Sequence, residues 1–256
     1  MLLPFIVPVL FCAAWQAVAV SGLLGKGMFP SVTDSLAALA DWIFGGKGNV
    51  FSATWHTATL ASLVRVLTGF LIGASVAIVL GLLGGVSPTV RSMFDPSINA
   101  IRSVSITAWV PIALIVFGIG FKPAVFLTAL CTFFPVYVNV LAGARSVDRN
   151  LVQAAKMLGA TPSQVTLRVV LPWTLPAMVT GLRVAAALAW TTVVVSEMLG
   201  AQSGIGYTLI YSYNQFQFDY VVAGMIAVGF CGFMTDKLLE RGLERRLSWV
   251  EKRAAR

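Results

Sequence analysis

The chain has 256 residues, 58% of them hydrophobic and only 11% charged, with a mean hydropathy of +0.86. A water-facing surface uses about 25% charged residues, so the composition excludes a soluble globular enzyme, a disordered chain and a disulfide scaffold. The formal net charge of +8 calls for no nucleic acid, because membrane proteins collect Lys and Arg on the cytoplasmic side.

A bilayer core of about 30 Å takes roughly 20 mostly apolar helical residues per crossing. Six stretches meet that requirement: 2–20, 58–84, 101–118, 124–144, 177–199 and 220–238. The sequence therefore predicts an all-α polytopic membrane protein with six transmembrane helices. The first stretch lacks a basic leader and a small-residue cleavage site, and is expected to be an anchor rather than a signal peptide. In the outer segment 29–49, Thr33 or Asp34 can cap a short helix with Leu36, Leu39 and Ile43 on one face. That helix is expected in the outer interface, with Trp42 and Phe44 at headgroup depth. Gly69, Gly73, Ala77, Gly81 and Gly85 recur every four residues in the second span, as do Gly181, Ala185 and Ala189 in the fifth. Such stripes let helices approach closely where lipid supplies no hydrophobic drive. Cys12, Cys131 and Cys231 lie in apolar runs and read as small core residues.

Orientation follows from counting basic residues. With the N-terminus inside, the outer segments hold three (Lys26, Lys47, Lys122) and the inner segments and tail hold thirteen. Both termini are therefore expected in the cytoplasm. The tail after Asp236 alternates acid and base, as a solvated helix leaving the membrane does, with Glu240 and Glu244 placed for helical pairing.

Ionisable side chains inside spans must pair or stay wet. Arg183, near the inner end of the fifth span, is expected to snorkel to the cytoplasm. Arg65 either snorkels outward or pairs with Glu197, which is then either a structural partner or a gate residue at the outer mouth. Ser105, Thr107, Thr191, Thr192 and Ser196 are polar but individually weak, since Ser and Thr often bond back to their own helix. Asn139 and Trp109 are the stronger candidates for lining a pathway. His56 sits beside Trp55 at the outer interface, and one histidine builds no metal site.

The inner segment 145–176 carries the most local information. Asp148 can cap a helix running to Leu158, which Gly159 can close in the left-handed conformation. Thr161, Pro162 and Gln164 then supply N-cap, N1 and capping-box partner of a second helix, which Pro172 and Pro176 are expected to break before the fifth span. The product is a bent pair of short helices bearing Arg149, Lys156, Arg168 and the apolar knobs Leu151, Met157 and Leu158. It suits docking of a soluble partner, or it is an interfacial helix that tidies the loop.

Gln153-Ala154-Ala155, Gly159, Val169 and Leu171-Pro172 resemble the EAA–G–I-LP cytoplasmic signature of ABC-importer permeases, with Gln153 in place of Glu and Val169 in place of Ile. The stretches Trp109-Val110-Pro111-Ile112, Thr180-Gly181-Leu182-Arg183, Ser196-Glu197-Met198-Leu199-Gly200-Ala201 and Ser203-Gly204-Ile205-Gly206-Tyr207 are similar to the branch that imports nitrate, taurine and aliphatic sulfonates. The resemblance implies a type I ABC importer permease fold in a bacterial inner membrane, a single permease domain over 1–256 made of an anchor region (1–57), a five-span core (58–238) and a tail (239–256). It implies that Gln153, Ala154, Ala155, Lys156, Gly159, Ala160, Thr161, Pro162 and Gln164 form the coupling helix seated in an ATP-binding subunit. It places the Gln202, Ser203 and Tyr207 loop where a substrate-binding protein delivers solute, with Ser105, Trp109, Asn139 and Glu197 along the pathway or its gate. The implied partners are a second copy of the chain, two ATP-binding subunits and an extracytoplasmic substrate-binding protein.

The sequence contains no G-x-x-x-x-G-K-[ST] phosphate loop, so ATP and magnesium are expected in the partner subunits. No nucleophile–base pair or Cys/His ligand set is visible, and neither a catalytic site nor a metal site is expected here. The competing class is a secondary transporter or channel that works without an ATPase. That class usually shows internal repeats, discontinuous helices or buried carboxylates; no repeat is visible, although Pro111 and Pro135 can interrupt spans.

Overall fold

The computed structural model describes residues 3–21, 29–46 and 48–254, with side chains beyond Gly242 left undescribed. Lys26 and Lys47 of the orientation count, and the side chain of Glu244, thus lie outside the described residues. Those described form helices and connecting turns without a strand: α1 (Leu3–Ser21), α2 (Val32–Phe44), α3 (Trp55–Val86), α4 (Pro88–Arg102), a 3₁₀ turn (Ile106–Trp109), α5 (Val110–Phe117), α6 (Phe121–Arg145), α7 (Arg149–Met157), α8 (Pro162–Val165), a π turn (Thr166–Val170), α9 (Leu171–Gly200), α10 (Ile205–Asn214) and α11 (Phe218–Ala254). Among the described residues, four helices are long and apolar enough to cross a membrane: Trp55–Val86, Phe121–Arg145, Pro162–Gly200 and Phe218–Gly242. A bent pair makes a fifth if counted as one span, and Val9–Ser21 of α1 is apolar but shorter.

The centre is a stack of α3, α6 and α9. A Cβ added at Gly69 would fall 2.6 Å from the Thr128 side chain, and one at Gly81 2.9 Å from that of Val140. On the other side of α6, a Cβ at Gly181 would meet Asn139 at 2.9 Å and the Pro135 carbonyl at 3.2 Å. Both small-residue stripes are therefore seams against α6, and they do not line a pathway there.

Three expectations fail, each for a physical reason. The run 101–118 is not one continuous helix. Helix α4 meets the 106–117 helix at 89°, and 12 residues cover only about 18 Å. The Ser103 hydroxyl bonds the Ala100 carbonyl at 2.6 Å, a local competitor that ends α4. Pro111 favours the first turn of a new helix, where its missing N–H costs nothing.

Pro172 and Pro176 do not break the helix before the fifth span, which runs without interruption from Pro162 to Gly200. The wide π turn just before Pro172 makes room for its ring. The hydroxyls of Thr174 and Thr180 bond the Val170 and Pro176 carbonyls at 2.8 and 3.1 Å.

Helix α2 is not an interfacial float. Its cap is Ser31, which accepts from the Asp34 N–H, rather than Thr33 or Asp34. Its buried face is Ser35, Ala38, Asp41 and Trp42, and Trp42 is fully buried among Tyr220, Ala223 and Val193. Asp41 accepts from Ser52 Oγ at 2.7 Å and from the Tyr220 hydroxyl, tying α2 to the start of α11. Phe44, by contrast with Trp42, is 81% exposed.

Candidate functional site

Between α6 and α9 the structure builds the bent helix pair from local chemistry. Asp148 caps α7 by accepting from the Asn150 N–H at 2.9 Å. Gly159 stands at φ +79°, the left-handed conformation that ends the helix. Thr161 and Gln164 complete the reciprocal capping box, with Pro162 at the first position of α8. Val152, Ala155 and Ala160 face inward against Ala144, Val165 and Val170. Gln153, Ala154, Lys156, Gly159, Thr161, Pro162 and Gln164 face out. Of the expected coupling residues, Ala155 and Ala160 are partly buried against this cluster. Met157 and Leu158 are 87% and 88% exposed, beside the exposed Leu151 and Leu167. Adjacent large apolar side chains held this far from their own core mark a contact surface.

At the opposite end of the helix stack Arg65 pairs with Glu197, and the network is wider than the pair. Glu197 is fully buried. It accepts from Arg65 Nη1 at 2.6 Å, from Ser62 Oγ within 2.8 Å of both oxygens, and from the Gly206 N–H at 2.9 Å. Arg65 also donates to the Ser203 carbonyl at 2.8 Å and to Ser203 Oγ at 2.9 Å. Ser62 Oγ in turn accepts from the Ile205 N–H at 2.9 Å. One charge pair thereby fastens α3, α9 and the 201–206 loop together. Any Cβ at Gly204 would collide with the Glu197 carboxylate, so the loop closes over it only as glycine. Ser62 escaped the sequence analysis, although its place one turn before Arg65 put it on the same helix face. Arg183 does not simply snorkel: its Nε and Nη2 meet Asp236 at 2.9 and 3.1 Å, with Glu240 at 3.7 Å. Glu240 also accepts from Lys237 at 2.7 Å.

The other expected pathway residues do not form one cluster. Asn139 turns its amide back onto the Pro135 carbonyl at 2.8 Å, beside Gly181, and is part of the α6–α9 seam. Trp109 packs on the cluster of Val110, Ala113 and Leu127. Gln202, Ser203 and Tyr207 line an outer cavity of about 210 Å³ together with Thr54 and Thr57. Ser105 lines a different cavity, of about 100 Å³, at the break between α4 and α5, with Thr107, Thr191 and Thr192. Among the described residues no three His, Cys, Asp or Glu side chains are gathered as a metal would require.

Comparison with known proteins now adds to this geometry. Residues 77–248 match the family described as binding-protein-dependent transport system inner membrane component. A putative ABC transporter permease protein of Methanocaldococcus jannaschii is 38% identical over 75% of this chain and 72% of its own length. The taurine transport system permease protein of Escherichia coli is 35% identical over 91% and 84%. The nitrate import permease protein of Leptolyngbya laminosa is 32% identical over 81% and 74%. A crystal structure of an amino acid ABC transporter with histidines has the same fold, with a TM-score of 0.57 over 78% of this chain and 93% of that one at 18% identity.

Proposed function

The chain belongs to the family of inner-membrane components of binding-protein-dependent transport systems, and from that premise we propose that it forms the translocation pathway of an ATP-driven importer for a small sulfonate, the zwitterion taurine included, or nitrate. It works as two copies with two ATP-binding subunits, receiving solute from a binding protein outside. Six spans with both termini in the cytoplasm follow if α1 crosses and the bent pair counts as one span. The observation that carries the proposal is the exposed bent pair α7–α8 with Met157 and Leu158 at its tip. It is a rigid, capped knob on the basic side of the membrane, suited to a groove in a soluble subunit. Gln153, Ala154, Lys156, Gly159, Thr161, Pro162 and Gln164 form its outward surface. Outward opening follows when ATP draws the two knobs together, and hydrolysis returns the cavity to the cytoplasm.

The test is ATP-dependent uptake of taurine or nitrate by the complex in proteoliposomes with its binding protein. Gly159→Asp is expected to abolish uptake while leaving insertion and unstimulated ATPase intact, because a side chain at this φ deforms the bend. Full uptake by that variant would remove the coupling assignment. The broken span and the buried Glu197 carboxylate are features shared with secondary transporters, and co-purification decides between the classes: an importer retains a nucleotide-binding chain.

A further inference from the structure

Helix α5 is apolar throughout, and the chain leading into it carries a cluster of hydroxyls facing α9. Where the chain turns through 89° between α4 and the 3₁₀ turn, Ser105 Oγ and Thr107 Oγ1 stand 2.8 Å apart. Both residues are exposed. The pair carries two hydroxyl hydrogens and one of them is spent on the mutual contact, so the other is free to donate. Thr191 and Thr192 of α9 complete the cleft, with Val110 and Val195 as its apolar walls. The cavity of about 100 Å³ has room for several waters or one small ion. No charged residue lines it, and Arg65, the buried cation of the outer half, is already engaged by Glu197 and Ser203.

We propose that this cleft is a transit site for a weakly basic oxyanion, held by the hydroxyls of Ser105, Thr107, Thr191 and Thr192. The proposal rests on the permease function above and gives it a solute-contact site. A guanidinium or ammonium adds an ion pair to its hydrogen bonds with an oxyanion and a hydroxyl does not, so a cation in the path would hold tightly an anion that must leave again. Neutral hydroxyls hold it briefly. They suit sulfonate and nitrate, which spread one charge over three oxygens and lose water cheaply, and they select against phosphate dianions. The Thr191 and Thr192 hydroxyls now donate to the Ala187 and Leu188 carbonyls at 3.2 and 2.9 Å. They therefore join only when the ion draws them round, while the Ser105–Thr107 pair is ready.

The experiment uses the complete complex in proteoliposomes, with Cys12→Ser removing the exposed thiol. Ser105→Cys and, separately, Thr191→Cys are exposed to a sulfonate-bearing and to a trimethylammonium-bearing methanethiosulfonate. Each rate is divided by that for a free thiol. The sulfonate reagent is expected to react several-fold faster, and taurine or nitrate to slow it. Equal rates, absent modification at both positions, or no protection by either anion would overturn the site. Thr191→Val with Thr192→Val is expected to raise the half-saturating solute concentration about tenfold or more, the scale of one hydrogen bond to a charged group. An unaltered half-saturation also counts against it. ATP-dependent uptake by the unmodified complex separates the two levels. Uptake with an unreactive cleft sinks the transit site alone, whereas no uptake of any solute sinks the permease function.

Discussion

Glu197 shows how much a single buried charge can organise. With Arg65 it forms an ion pair held in the outer half of the α3–α9 contact, and removing one member of such a pair leaves the other uncompensated at about 3–5 kcal/mol. Glu197→Gln is therefore expected to lower the thermal midpoint of the detergent-solubilised protein sharply, and Arg65→Met likewise. The double variant should be much milder than the sum of the two, because the singles share one interaction. Additive losses in that cycle would mean the contact carries little. The pair was legible across 132 residues because two charges inside apolar spans must find partners. Which of two roles Glu197 plays was not legible, since that depends on the glycine loop folded over it. Arg183 and Asp236 were missed because an arginine near a helix end has a second outlet, the nearby water. The cap residues of α7 and α8 were readable from sequence because their partners lie two or three positions away.

Among the elements, α2 is the sharpest departure from its sequence pattern. Its apolar residues fit an interfacial stripe, yet the face it buries includes Asp41 and Ser35, whose hydrogen bonds make a polar face acceptable to the core. Trp42→Ala is expected to cost about 3–5 kcal/mol as a core truncation, whereas Phe44→Ala should change stability by less than about 0.5 kcal/mol. Thermal unfolding in detergent measures both. Equal, small effects would return α2 to the membrane surface. The break between α4 and α5 was equally hidden: an apolar run of 18 residues reads the same whether straight or folded back on itself. Pro111 marked where a helix could begin, but only packing on α6 decides that it does. The Pro172 and Pro176 error has the same origin, since a π turn costs little in sequence and is invisible until its carbonyls are traced.

For the whole molecule, the basic-residue count orients every helix at once. It predicts that, in the natural-cysteine-depleted protein, Asp148→Cys reacts with an impermeant thiol reagent only from the cytoplasmic side. Gln202→Cys should react only from the outside. Any exchange of sides would reverse the membrane orientation and with it the assignment of the helix pair to the ATPase face. The helix from Pro162 to Gly200 gives this geometry a mechanical meaning. At about 1.5 Å per residue its 39 residues make a rod of roughly 58 Å, with the capped knob at one end and the Glu197 fastening near the other. Such a rod is a lever arm: pivoting at the Gly181 seam, roughly 28 Å from Gly200, a tilt of about 10° sweeps that end through roughly 5 Å, close to the width of a small solute. If the chain works as the proposed importer pathway, no relay of side-chain rearrangements is needed between its two faces: a stiff beam pivoting on the close-fitting glycine seam would convert a rocking at the knobbed end into an aperture at the other.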